Sequence, residues 1–340
     1  MSSIAERRPA GACLPPVPIS PVVDDPEVIR AMARANGPYF MPARYLVRSS
    51  AAAAASDDET TSQKVPAGLI GPTFRGDWAF GGDVIVDGAE PLLHHPGFMA
   101  AAAEMCGSDV IVPEQVFVNL TGPSGGQPFS HVDIPEFVGV DRTNAPGWLL
   151  QAMGSSRLFE DARITIITAV AWFHSGERGY FRYWPAGRDA DSVRHEAMWN
   201  TAVVGDNDFM HHKVERTGSR EMAPPAGMTI DTHLDHDGAR WCIVDDGVTL
   251  ATYGDDDIRL SLSWKAKVYD TVEARAAAEA GDGGLTLDIV AERFAEALAT
   301  EASTAGAPRA TGAVVSSVDD LLSDEVRVEL STRWSGYVAG

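Results

Sequence analysis

The chain has 340 residues, 45% hydrophobic and 22% charged, and its 48 Asp and Glu against 27 Lys and Arg give a net charge of −21 at pH 7. This is a globular composition that excludes a disordered or collagen-like chain, and an acidic surface without any Lys/Arg block argues against nucleic acid or an anionic membrane as partner. No apolar run approaches the roughly 18 residues of a membrane span, and the opening MSSIAERRPAGACLPPVPIS lacks a continuous apolar stretch, so a cytoplasmic protein is expected.

The elements follow in chain order. After a Pro-rich start, Asp25-Pro26 places an N-cap and an N1 proline before EVIRAMARAN, and Gly37 stops that helix. Residues 51–64, an alanine run followed by polar residues, read as an exposed loop. A second helix fits Pro96–Cys106, closed by Gly107. From there to Tyr269 short strand-like runs alternate with Gly, Pro and Asp clusters: VIVPEQVFVNL, ARITIITAVAWF, GYFRYW, DFMHHKV, RWCIVDD, GVTLATY and IRLSLSWKAKVY. Asp246-Gly247 between two of these runs predicts a hairpin. Beyond Tyr269 the helical pattern returns, with Thr286 capping LDIVAERFAEALATEA and Ser317 capping VDDLLSDEVRVEL. Cys13, Cys106 and Cys242 form neither a paired framework nor a Cys-x-x-Cys site, and are expected to be reduced and buried. The fold class expected is mainly β with flanking helices: an N-terminal helical and loop region (1–113), a barrel or jelly-roll core (114–270) and C-terminal helices (271–340), in one domain.

With nine histidines the metal hypotheses can be enumerated. In His131-Val-Asp133 the imidazole and carboxylate lie two apart and share one face of a strand, so they converge on one ion. A second such pair, His233-Leu-Asp235, is followed only by His236, too near to come from another strand. A two-histidine, one-carboxylate set needs a distant third ligand. Downstream of His131 that ligand is offered by DFMHHKVER, where His212 lies on the apolar face with Met210 and Val214 while His211 shares its face with Phe209 and Lys213. His212 is the preferred ligand and His211 the alternative. Arg259-Leu-Ser261 places a guanidinium and a hydroxyl on one face, a match for a carboxylate.

These residues resemble the iron(II)- and 2-oxoglutarate-dependent dioxygenases, whose core is a double-stranded β-helix, a cupin-like jelly roll. The resemblance rests on His131-x-Asp133, on His212 in HHKVE and on Arg259-x-Ser261, with WFHSGERGYFRYWPAG similar to the Gly-rich aromatic strand pair of that family, and covers about residues 114–269. It implies iron(II) held by His131, Asp133 and His212, and 2-oxoglutarate held by Arg259, Ser261 and Asn119. It further implies dioxygen as oxidant and Tyr183, Arg182 and Trp184 against a small-molecule substrate, amino-acid-derived or a natural-product intermediate, that is hydroxylated, desaturated or cyclised. Asp133, in place of Gly or Ala, favours such chemistry over halogenation. The chain departs from the family in the long interval between His212 and Arg259. An insertion at about 217–257 must leave the barrel and return, or else Arg216 or Arg220 becomes the anchor. Residues 221–240 are expected to close over the site and 241–253 to dock them to the barrel. Other readings of the same residues are a cupin-like metal-dependent hydrolase or isomerase and a non-catalytic small-ligand barrel. Oligomeric state is left open.

Overall fold

The structure, a computed structural model, describes residues 3–9, 12–44, 71–303 and 313–335. The loop expected at 51–64 lies outside the described residues. By chain contacts the protein divides into two compact units, Met1–Val132 with Ile167–Val268, and Asp133–Ile166 with Tyr269–Gly340. Residues 133–166 group with the C-terminal helices.

In the first unit the strands are β1 (Val17–Ile19), β2 (Tyr39–Phe40), β3 (Thr73–Phe80), β4 (Asp83–Val84) and β5 (Val110–Thr121). After β6 (Glu136–Phe137), which belongs to the second unit, come β7 (Arg163–Phe173), β8 (Phe181–Trp184), β9 (Val193–His195), β10 (Trp199–Gly205) and β11 (His211–Val214). The last four are β12 (His233–His236), β13 (Trp241–Asp245), β14 (Val248–Tyr253) and β15 (Arg259–Tyr269). A large sheet runs in the order β1-β10-β7-β15-β5-β3-β2-β12-β13-β14, and a small one in the order β11-β8-β9. An isolated antiparallel bridge, His131 to His212, adds a fourth chain segment beside β11. Successive segments therefore alternate: β5 in the large sheet, His131 in the small, β7 large, β8 and β9 small, β10 large, β11 small, β15 large. This is the antiparallel jelly-roll connectivity of a double-stranded β-helix, with helices at both ends of the chain as expected.

The period of two explains the two faces of the large sheet. One face carries Val116, Val118 and Leu120 of β5, Ile167, Ala169, Ala171 and Phe173 of β7, and Leu260, Leu262 and Trp264 of β15, in one core with Leu93 and Phe98 from the helices. On the other face Trp172 and Val203 join Phe181, Tyr183 and Met210 of the small-sheet side in a separate cluster. Arg259, Ser261, Ser263, Thr168 and Thr201, buried and polar, alternate with the core residues of their strands and so take that second face.

The interval 217–257 contains β12, β13 and β14. β12 pairs with β2, Leu234 against Tyr39, and β13 and β14 continue the large sheet outward. Their hairpin turns on Asp246 and Gly247 at φ 44° and 74°, the two positive angles of a type I′ turn. Of the segment 221–240, residues His233–His236 are strand β12, anchored by a fully buried Leu234.

Two helical expectations differ from the structure. Helix Gly147–Ser156 interrupts the region read as strands. VDDLLSDEVRVEL is also not one helix, because Ser323 accepts the Val326 N–H at 3.3 Å and starts a new helix at Asp324 after Val318–Leu321. Helix Leu287–Ser303 starts where expected, after Thr286. The second unit has its own core, in which Phe159 meets Phe294 at 5.2 Å between ring centres. All three cysteines are free and buried, and no helix among the described residues is long and apolar enough to cross a membrane.

Candidate metal and anion site

β11 is held at both ends of its length. The turn before it is tied by the Phe209 and Met210 N–H groups donating to the Asp206 carbonyl at 2.9 and 2.8 Å, and the buried Asp206 carboxylate receives Arg8 Nε at 2.7 Å. Along its flank the segment 123–130 lies as a strap: Gln127 N–H donates to the Val214 carbonyl at 2.9 Å and Ser124 exchanges backbone bonds with Thr217. Gly126 sits at φ +82°, where a Cβ would meet Arg216 N and Glu215 C at 2.6 Å, so only glycine lets the strap lie this close. The strap delivers His131, whose N–H donates to the His212 carbonyl at 3.0 Å while His212 N–H donates back at 2.8 Å.

This pairing brings three ligand atoms together. One nitrogen each from His131 and His212 and a carboxylate oxygen of Asp133 lie within 4.8 Å of one another. The imidazole centres are 4.4 Å apart. His212 is buried, and its Nδ1–H donates to the Met210 carbonyl at 2.8 Å, which puts the lone pair of the neutral ring on Nε2. His211, opposite Trp184, faces the other side of the small sheet. Burial, then the Arg188 and His212 charges, push its pKa down. Of the adjacent pair, His212 joins the cluster. Among the described residues no other group of three His, Cys, Asp or Glu is placed to hold an ion, so His233, Asp235 and His236 form none.

The second feature is Arg259, 2% exposed at the start of β15. Its Nε donates to the Gly179 carbonyl at 2.6 Å and Nη1 to Ser261 Oγ at 3.0 Å, while the buried Nη2 has no hydrogen-bond partner among the described residues. Burial pushes its pKa down to about 9, so the group is charged at neutral pH. A buried cation with an unfilled nitrogen is costly alone and fits an anion. Gly179, at φ +71°, makes the room: a Cβ there would stand 2.8 Å from Arg259 Cδ. Arg216 is half-buried and Arg220 exposed, so of the three candidate anchors Arg259 alone is withdrawn from water.

Of the other residues singled out by sequence, Tyr183 pairs in register with His212, shares its face, and is 9% exposed. Asn119 lies on the Phe117 and Thr121 face of β5, opposite the core face, and accepts from Arg75 Nε at 3.0 Å. Arg182 and Trp184 alternate with Tyr183 and point to the opposite side, where Arg182 donates to Glu215 at 2.6 Å and to Ser192 at 2.8 Å; the structure does not bring them to the ligand face. Sequence reasoning missed Gly179, whose positive φ had no separate signal in a Gly-rich stretch. It also missed His174, buried at the end of β7, whose pKa burial and the Arg259 charge push down to about 4.

No family model matches the chain and no curated protein matches it. Among solved structures it is similar to an oxidoreductase of the 2OG-Fe(II) oxygenase family from Burkholderia pseudomallei, with 11% identity, 78% of this chain and 87% of that one covered, and a TM-score of 0.38. A Pseudomonas putida prolyl-4-hydroxylase matches at 13% identity over 78% of this chain and 96% of that one, TM-score 0.36. HygX from Streptomyces hygroscopicus, solved with nickel, 2-oxoglutarate and hygromycin B, matches at 10% identity over 76% and 89%, TM-score 0.38. Identities and scores of this size leave the functional reading to the site's own geometry.

Proposed function

We propose that this chain is an iron(II)- and 2-oxoglutarate-dependent oxygenase acting on a small molecule. The observation that carries the reading is the coexistence, inside one barrel, of a His131, Asp133 and His212 cluster and a buried, incompletely bonded Arg259. Two imidazoles and one carboxylate are the donor set of a facial triad with open positions, and a metal hydrolase on the same barrel has no use for the buried guanidinium. Iron bound there supplies, with 2-oxoglutarate and dioxygen, the oxidising power to attack an unactivated C–H bond.

The chain's own residues do the rest. Met210 fixes the tautomer and plane of His212 through Nδ1, and Asp133 contributes the negative charge that favours a cation between the two rings. Arg259 takes the distal carboxylate of 2-oxoglutarate through Nη2. Ser261 accepts from Arg259, so its own hydroxyl proton remains to be donated to the same anion. Tyr183 lies opposite His212 and the Gly179 carbonyl accepts from Arg259, so the chain running into β8 passes from the one feature to the other. Phe181, between them, packs on Trp172 at 5.2 Å and on the His212 ring at 5.5 Å, keeping water from the space.

Anaerobic titration with iron(II) and 2-oxoglutarate tests the reading through the weak visible charge-transfer band of the chelate. A band in the wild type, absent in His212→Ala, supports it; a wild type that binds iron without developing the band on adding 2-oxoglutarate rejects it.

A further inference from the structure

β3 and β5 carry a second polar feature on the face that β5 turns away from the core. In register Thr73 faces Thr121, Arg75 faces Asn119 and Asp77 faces Phe117, while Phe74 and Leu120 of the alternate positions are fully buried in the core. The outward set is cross-linked by side chains: Thr73 Oγ1 lies 3.2 Å from Thr121 Oγ1, Arg75 Nε donates to Asn119 Oδ1 at 3.0 Å, and Gln115 Nε2 donates to Asp77 Oδ1 at 2.9 Å. β5 is the sheet neighbour of β15, whose Arg259 and Ser261 also alternate with core residues, and the Lys267 to Glu114 ion pair at 3.5 Å ties the far end of β15 to the early part of β5.

Asp77 is the member left incomplete. A carboxylate offers about four acceptor positions, and among the described residues Asp77 receives a single hydrogen bond, from a neutral amide. Arg75 lies near enough to act on it by charge, but directs its Nε to Asn119 and its guanidinium over the Phe117 ring at 4.1 Å. Burial raises the Asp77 pKa, so the environment itself disfavours the anion. A cationic donor would complete it, and the net charge of −21 favours approach of a cation.

We infer that this strip is a wall of the substrate site and that Asp77 receives an ammonium group of the primary substrate, which is thus an amine-bearing small molecule. The inference rests on the oxygenase reading, and the test keeps the two apart. Protein is first loaded anaerobically with manganese(II) and 2-oxoglutarate, each binding followed by calorimetry. Putrescine, lysine amide and glucosamine are then titrated in, each beside its N-acetylated derivative. Failure of manganese or 2-oxoglutarate to bind counts against the oxygenase reading. With both bound, at least one amine is expected to bind tenfold or more tightly than its acetylated form, and Asp77→Asn, which keeps the shape and can still meet Gln115, is expected to abolish that preference without changing manganese or 2-oxoglutarate affinity. The inference is overturned by equal binding of amines and acetylated forms, by no binding of any amine to loaded wild type, or by a preference that survives Asp77→Asn. If the variant does not fold, the wild-type comparison still decides.

Discussion

At the scale of single residues, the proposed reading separates the site into groups that would hold the metal and groups that would hold the co-substrate, and each has its own readout. His131→Ala, Asp133→Ala and His212→Ala are each expected to remove manganese(II) binding by calorimetry, with little change in thermal midpoint for the two partly exposed residues and a lower midpoint for His212→Ala, which loses a buried ring and its hydrogen bond to Met210. His211→Ala, on the other face, is expected to bind the metal normally. Arg259→Ala is expected to raise the 2-oxoglutarate concentration for half-saturation at least tenfold, since truncating one partner of a buried charged contact costs about 2 to 5 kcal/mol. An unchanged requirement would move the anchor to Arg216 or Arg220. Gly179→Ala is expected to act in the same direction, by pushing on Arg259 Cδ.

His174 adds a pH dependence with a definite sign. Its folded pKa is about 4 against an ordinary 6.5, so the unfolded chain binds the extra proton and stability is lost as pH falls from 6.5 towards 4. A difference of that size corresponds to about 3 kcal/mol. Urea midpoints at pH 7 and 4.5 are expected to converge in His174→Gln relative to wild type; an equal drop in both proteins would show that the acid sensitivity comes from carboxylates alone.

At the scale of elements, the strap 123–130 is the device that brings two distant sequence segments together in the His131, Asp133 and His212 cluster. Gly126→Ala introduces both a positive-φ penalty and backbone contacts at 2.6 Å, and is expected to lower stability by about 1 to 3 kcal/mol and to weaken manganese binding more than Gly125→Ala, whose added Cβ meets nothing within 4 Å. Equal metal affinity in the two variants would remove the strap from any role at the site.

The same elements show what the sequence could and could not reveal. The apolar side of DFMHHKV was legible because a period of two encodes which side chains share a face, whereas His131 and Asp133 come together without a shared strand: His131 makes an isolated bridge and Asp133 lies outside any strand. That period also determines why Arg182 and Trp184 flank Tyr183 yet point away from it: a cluster of attractive residue types in one strand cannot all face one site. Helix Gly147–Ser156 was hidden because two glycines and a short apolar run carry neither helical caps nor a clean period. The break at Ser323 was hidden because the helical pattern passes through a serine that can serve as a second cap. Arg75 and Asp77 were missed for another reason, since a lone Arg-x-Asp acquires meaning only when β5 places Asn119 and Gln115 beside it.

At the scale of the molecule, the charge of −21 acts on every ligand before any side chain does. On the proposed reading 2-oxoglutarate, a dianion, approaches an acidic body that attracts it only locally, through the bound metal and the buried Arg259, whereas an ammonium substrate approaches with the field. Salt screens both effects, the Debye length falling from about 30 Å at 0.01 M to about 8 Å at 0.15 M ionic strength. The association rate of 2-oxoglutarate with manganese-loaded protein is therefore expected to rise between those conditions, by roughly two- to threefold, while that of an amine probe falls by a similar factor. Stopped-flow measurement at several salt concentrations distinguishes this from a purely local steering by Arg259. If Arg259 governed the encounter, the 2-oxoglutarate rate would fall with salt, and Arg259→Gln would reverse the slope; if the global field governs, the slope is positive and Arg259→Gln changes the dissociation rate instead.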